Sequence, residues 1–165
     1  MTKLSDATRN KLKAVSTATV ATALYKRGFR IQCIQDVHPL SADQPTLVGE
    51  AFTLRYMPAR EDLNKLDVFR DRSHPQRKAI EINVPIGCGD APVFPGDVVL
   101  GDADGVIVIP AHLADEIAKE AFEMTAFEDF VTEEVRKGRS ILGLYPATDE
   151  QTLVDFAAWR NKMGR

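Results

Sequence analysis

The densest apolar pattern in this 165-residue chain lies between Ile82 and Pro110, INVPIGCGDAPVFPGDVVLGDADGVIVIP. Val98-Val99-Leu100 follows the turn signal Pro95-Gly96-Asp97, and Val106-Ile107-Val108-Ile109 follows Asp102-Ala103-Asp104-Gly105. Asp-Gly between β-branched runs predicts a hairpin. Neither run alternates with polar residues, so both faces of that hairpin should be covered. Further strands are expected at Leu47–Tyr56, broken by Met57-Pro58-Ala59, and near Ala79–Val84. Phe29–Pro39 reads as loop or short strand.

Helical periods flank these strands. Ser5 can cap a helix over Asp6–Ala14, and Ser16 or Thr17 a second one that stops at Gly28. Glu61–Phe69 has helical character, interrupted by Pro75. A long helix should run from His112 towards Lys137 and stop at Gly138. Leu113, Ile117, Ala121, Met124, Val131 and Val135 form its apolar stripe, with Phe122 and Phe130 on roughly the opposite side. Two apolar faces suit a helix held between its own sheet and either a neighbouring subunit or a loop of the same chain. In the tail, Thr148-Asp149-Glu150-Gln151 reads as a capping box with Thr148 as N-cap. Leu153, Phe156, Ala157 and Arg160 would then share a face, and Trp159 would suit a core or a subunit contact.

Composition places the chain among ordinary globular domains: 44% hydrophobic and 27% charged residues, net charge −3 and pI about 5.6. The size fits a single domain, residues 1–165, with 139–165 as a helical extension. An acidic chain with only a local cluster at Arg70, Arg72, Arg77 and Lys78 is not expected to bind nucleic acid directly. The polar start MTKLSDATRNKLK and the lack of a long apolar run predict neither leader nor membrane span, hence a cytoplasmic protein. Cys33 and Cys88 lack metal-ligand spacing, and Cys88 between two glycines reads as a small buried filler.

The PGD-VV-x-GD-x-DGV-x-VIP pattern of Pro95–Pro110 resembles the RraA-like family, which includes the regulator of ribonuclease activity and the 4-hydroxy-4-methyl-2-oxoglutarate aldolases. Ser16–Gly28 looks like that family's N-terminal helix, Leu47–Tyr56 like its first long strand, and Arg139–Pro146 like the C-terminal extension of one branch. The resemblance implies an α/β fold of the swivelling β/β/α type and a homo-oligomer, a trimer or a multiple of one. It also exposes a gap. Family members carry a central segment with further strands, a Gly-rich anion-cradling turn, and an Arg-Asp pair whose Asp holds a divalent metal in the aldolases. Here only Met57–Glu81 separates the first strand from the INVPI strand, and that interval contains no glycine. The fold is therefore expected with a reduced central sheet. Arg70-Asp71 is not equated with the family pair, because His74 stands where an acid is expected and no apolar strand precedes it. A solvated charged face is the plainer reading of that stretch. A natural shortened paralogue, a designed or degraded gene and a chain quoted without part of its length would all give this pattern.

Several acids and histidines are candidates for chemistry. Glu128 falls inside the apolar stripe of the long helix, where a carboxylate is costly unless paired, exposed or used. By resemblance it matches an aldolase glutamate that reaches a neighbouring subunit's metal through water. The alternative is a helix rotated so that Glu128 meets solvent or an arginine. Asp97, Asp102 and Asp104 look like a metal cluster on paper, yet aspartates in turns more often accept local backbone amides, and Asp90 has the same local role. His38, His74 and His112 lack the spacing for metal or for a nucleophile pair and read as surface or capping residues.

Three functions follow from different classes. A binding module would regulate a ribonuclease by docking on it, without catalysis. An enzyme would be a lyase using a Mg²⁺-type ion to cleave or decarboxylate a small 2-oxo acid, and its usual catalytic residues are not found here. An inactive remnant would show exposed strand edges and aggregate or form unusual oligomers.

Overall fold

The computed structural model describes residues 3–41, 43–58, 60 and 77–164. The expected helix over Glu61–Phe69, its interruption at Pro75, and the residues Arg70, Asp71 and His74 lie outside them.

Two short helices open the chain. Ser5 accepts a hydrogen bond from the Thr8 amide to start α1, Asp6–Lys13, and Ser16 accepts one from the Thr19 amide to start α2, Thr17–Lys26. Of the two caps the sequence allows for α2, Ser16 is therefore the one used. Gly28, at φ +88°, closes α2 as expected.

The predicted hairpin forms. β7, Val98–Gly101, and β8, Val106–Ile109, pair antiparallel, from Val98 opposite Ile109 to Gly101 opposite Val106. They form the centre of a four-stranded antiparallel sheet, flanked by β1, Cys33–Ile34, on β8 and by β2, Leu47–Glu50, on β7. Both faces are covered, for a reason visible in the strand period. Leu100, Ile107 and Ile109 face a core built with Leu12, Val20, Leu24 and Ile117 from the helices. Val108, one step out of phase, turns to the other side against Ala91 and Val93.

Those last residues belong to a hairpin absent from the sequence reading: β5, Ile86–Cys88, and β6, Ala91–Val93, joined by Gly89-Asp90 with Gly89 at φ +58°. Three-residue strands containing Gly87 and Pro92 carry little periodic signal. The expected strand Leu47–Tyr56 is divided between two sheets. β2 ends at Glu50, and β3, Leu54–Pro58, pairs instead with β4, Arg77–Ile82. The switch occurs at Thr53, which is buried and whose hydroxyl donates to the Val84 carbonyl at 2.5 Å.

After a single 3-10 turn at Ala111–Leu113, α3 runs from Ala114 to Arg136, with Gly138 at φ +94° beyond it. Its 23 residues span about 34 Å. The expected stripe is correct over the first half and at Val131, but fails at Val135. Ile117 and Ala121 are buried with Ala114 and Ala118, whereas Val135 is 40% exposed and Ala126 and Phe130 are buried in its place. The helix changes partner midway. Its first half packs on the sheet core; its second half meets α4, Glu150–Met163. Phe130, Val131, Leu144 and Trp159 form this second cluster, edged by Phe127 and Phe156. Phe130, 1% exposed, is thus covered by this chain's own tail, and Phe122 packs on the main core.

The tail also corrects the expected register. Asp149 is the N-cap of α4, accepting from the Thr152 amide at 2.6 Å, while Thr148 donates to the Gly143 carbonyl. The inward face carries Thr152, Phe156 and Trp159; Leu153 is 56% exposed and Ala157 is exposed. Leu153 follows Thr152 by about 100° of helix turn, so with Thr152 facing inward it faces outward. Among the described residues no helix is long and apolar enough to cross a membrane.

Candidate functional site

Two of the acids singled out by sequence, Asp102 and Glu128, meet donors in the first turn of α2. Asp102, at the β7–β8 turn, accepts from the Thr17 amide at 2.7 Å, from the Thr17 hydroxyl at 2.8 Å and from the Asp104 amide at 2.9 Å. It thereby ties the hairpin turn to a helix N-terminus, where negative charge is favoured. Burial alone would raise its pKa. The hydrogen bonds from Thr17, Asp104 and Gly105 outweigh burial and hold it below the usual carboxylate range. Glu128 reaches the same helix end from α3 and accepts from the Thr19 hydroxyl at 3.2 Å. It is half-buried beside Lys26, Met124, Phe127 and Tyr145, in a recess of about 380 Å³. The stripe position is therefore satisfied by a threonine hydroxyl. Neighbouring Glu123 is held by Arg160 at 2.5 Å.

Asp97 is a turn former, as expected. Its carboxylate accepts from the Phe94 and Ala111 amides, both at 2.9 Å, and fastens the Pro95-Gly96 turn to the start of the 3-10 turn before α3. Asp90 is exposed in the β5–β6 turn. His38 and His112 are exposed. Cys88 is half-buried beside Ile34 and Ile86, while Cys33 is exposed.

Two adjoining clefts, about 400 and 380 Å³, run along the β7–β8 turn and share Val37, His38 and Val106. The first is walled by Leu40, Pro45 and Leu47; the second brings Cys33, Asp36 and Asp104 to one rim. This groove is the concave place where the resemblance motif, the α2 N-terminus and polar side chains meet. Sequence reasoning found Asp102 and Asp104 through their turn signature. It missed Thr17 as the partner of Asp102 and Thr19 as that of Glu128, because only the fold brings residues so far apart in the chain together.

A divalent metal needs several convergent oxygen, nitrogen or sulfur ligands. Among the described residues no three His, Cys, Asp or Glu side chains converge in that way. Asp97 and Asp102 also spend their oxygens on amides and a hydroxyl. Among the described residues the donor set does not fit a metal.

The model of the family described as RraA-like, Aldolase/RraA, matches residues 62–108, which contain the β5–β6 hairpin and most of the β7–β8 hairpin. The chain is a distant relative of the RraA-like proteins. A protein of Halalkalibacterium halodurans, named "Putative 4-hydroxy-4-methyl-2-oxoglutarate aldolase", is 46% identical over 48 residues, 29% of this chain and 23% of that protein. An uncharacterized protein of Methanocaldococcus jannaschii is 34% identical over 61 residues, 37% of this chain and 29% of that one. The chain thus spans about a quarter of the length of the curated relatives it matches. Solved structures show the fold more widely. A protein of Pseudomonas syringae pv. tomato superposes with a TM-score of 0.74 at 16% identity, over 87% of this chain and 95% of that one. Streptomyces coelicolor RraAS2, described as an unusual member of the RNase ES inhibitor RraA protein family, gives 0.68 at 20% identity, over 80% and 100%. The small antiparallel sheet with its helices is the RraA-type swivelling β/β/α architecture, an α/β fold.

Proposed function

We propose that this RraA-like chain acts by docking on a ribonuclease and restraining it, without catalysis of its own. The observation that carries this reading is the use made of the acids. At the hairpin and on α3 they serve as acceptors for Thr17, Thr19, Phe94, Ala111 and Arg160, and the described residues offer no converging ligand set. The fold likeness to a member of a ribonuclease-inhibitor family supports it. In this reading the central segment that would supply metal and substrate ligands is reduced, leaving a single domain whose residues 139–165 form a helical extension. We further read the protein as a cytoplasmic homotrimer.

The second reading, a divalent-metal-dependent lyase acting on a 2-oxo acid, is favoured by the 46% identical stretch shared with the Halalkalibacterium protein. In that case Glu128 would act through water on a metal held mainly by another subunit. One pair of assays separates the two. Purified protein should slow RNA cleavage by a cognate RNase E-type enzyme and co-sediment with it at micromolar concentration. It should release no pyruvate from 4-hydroxy-4-methyl-2-oxoglutarate or oxaloacetate above the Mg²⁺-only rate. Mg²⁺-stimulated pyruvate release, lost in Glu128→Gln, would reverse the assignment.

A further inference from the structure

The β3–β4 and β5–β6 hairpins stand on either side of a cleft of about 700 Å³, lined on one wall by Leu54, Arg55 and Tyr56 and on the other by Ile86, Gly87 and Cys88. Among the described residues, each wall is a strand of a two-stranded sheet, paired on one edge only. The antiparallel hydrogen-bond pattern shows which backbone groups the open edges carry. Cys88 and Ala91 flank the two-residue turn and exchange the inner bonds of that hairpin, so Gly87, one step along, turns its N–H and C=O away from β6. On the other wall the Asn83 amide donates to the Thr53 carbonyl at 2.7 Å, and the alternation turns the next residue, Leu54, away from β4. Among the described residues no backbone hydrogen bond outside the two ladders reaches Leu54, Tyr56 or Gly87.

The side chains around these groups are uncharged or already neutralised. Tyr56 and Phe94 are 42% and 53% exposed at the rim, and Pro85 and Pro92 complete it. Arg55 is held by Glu81 at 2.5 Å and by the Pro85 carbonyl at 2.6 Å, so it calls for no further anion. Gly87 has no side chain to screen its backbone, and a Cβ placed there would meet only the Gly89 carbonyl within 4 Å.

We infer that this cleft is a strand-accepting site, which takes an extended, uncharged segment of a partner protein as an added strand on β3, with Gly87 bordering it. Unpaired strand-edge amides and carbonyls are complemented by another extended backbone, the mode of β-strand addition. Strand rise, strand spacing and sheet separation give about 160 Å³ per residue, so the cleft holds about four residues of extended chain. Extended strands favour β-branched or aromatic side chains over charged ones. The inference deepens the docking reading by naming a surface and a partner chemistry, and it fails separately from it. Ribonuclease restraint without peptide binding would leave the docking reading standing and remove this one.

The test uses the whole 165-residue chain and a capped heptapeptide of alternating threonine and valine. Titration should be saturable, and bound peptide should slow amide exchange at Leu54, Tyr56 and Gly87 while leaving α1 and α3 unchanged. The same peptide N-methylated at alternate residues should bind about tenfold more weakly or worse, the scale set by lost backbone hydrogen bonds. Gly87→Pro removes one outward N–H without touching the ladder and should weaken binding with little change in circular dichroism. Should that variant misfold, the N-methylated peptide still decides the matter on the unaltered protein. Equal binding of both peptides, no binding, or protection of these amides by self-association before peptide is added would each overturn the proposal; the last would make a second copy the occupant.

Discussion

Asp102 shows how one side chain can tie a hairpin to a helix. Its two oxygens satisfy the Thr17 amide and hydroxyl and the Asp104 amide. Replacing it with asparagine removes the charge and one acceptor oxygen, so Asp102→Asn should cost up to about 1 kcal/mol at pH 7, the usual worth of a carboxylate at a helix N-terminus. Its folded pKa is depressed, so its contribution is present above the unfolded value near 4 and fades as pH falls through the folded one. Urea denaturation of both proteins should show the difference shrinking below about pH 4; a constant gap would refute the assignment. Glu50 offers a second, wider acid window. Its carboxylate is lowered to about 2 by the Arg9 guanidinium first and the Leu4 amide second. Stability from that pair is present above the unfolded value near 4.3 and lost as pH falls towards 2. Glu50→Gln should therefore be less stable than the parent at pH 7, by no more than about 1 kcal/mol for a pair this exposed, and nearly equal to it near pH 2. Thermal melts across that range would check both ends.

At the scale of elements, the tail helix gives the sharpest contrast between pattern and structure. Asp149→Ala should destabilise the docking of α4 by about 1 kcal/mol, whereas Thr148→Ala should change it by a few tenths. Helix content of the tail, read by amide exchange at Thr152 and its neighbours, would reverse this order if the cap were one residue earlier. The sequence could not settle the register, because Thr148 and Asp149 are both good caps and only the packing of Phe156 and Trp159 on Phe130 decides between them. The same limit explains the error in α3. Its stripe was legible while one partner lay beneath it, and became misleading at Phe127–Phe130, where a different partner takes over. The β7–β8 hairpin was legible because turn chemistry and β-branched runs agree there. The β5–β6 hairpin was not, since Gly87, Gly89 and Pro92 leave hardly any side-chain period to read. Among the candidate site residues, turn acids were found by their local spacing, while the Thr17 and Thr19 contacts depend on chain crossings that no local pattern encodes.

Among the described residues three apolar bodies form, and α3 joins two of them: the sheet-and-helix core around Leu100, Ile107 and Ile117, and the aromatic cluster around Phe130 and Trp159. Trp159 is the sole tryptophan and also donates to Glu133 at 2.6 Å, so its fluorescence reports on the second body alone. Phe130→Ala leaves a cavity beneath Trp159 and should cost about 3–5 kcal/mol of docking energy. A loss of that size should free the tail without unfolding the sheet, because α4 packs on the second half of α3 and contributes no residue to the first core. The variant should show a red-shifted, more quenchable Trp159 emission, rapid proteolysis after Gly138, and unchanged amide protection in β7 and β8. It should also bind hydrophobic dye and self-associate, since Val131 and Phe127 would lose their cover. Loss of β7–β8 protection in step with the emission shift would instead make the two bodies one cooperative unit. In that event α3 would act as a structural wedge shared by both cores, and any partner binding at the tail would be felt at the hairpin turn around Asp102.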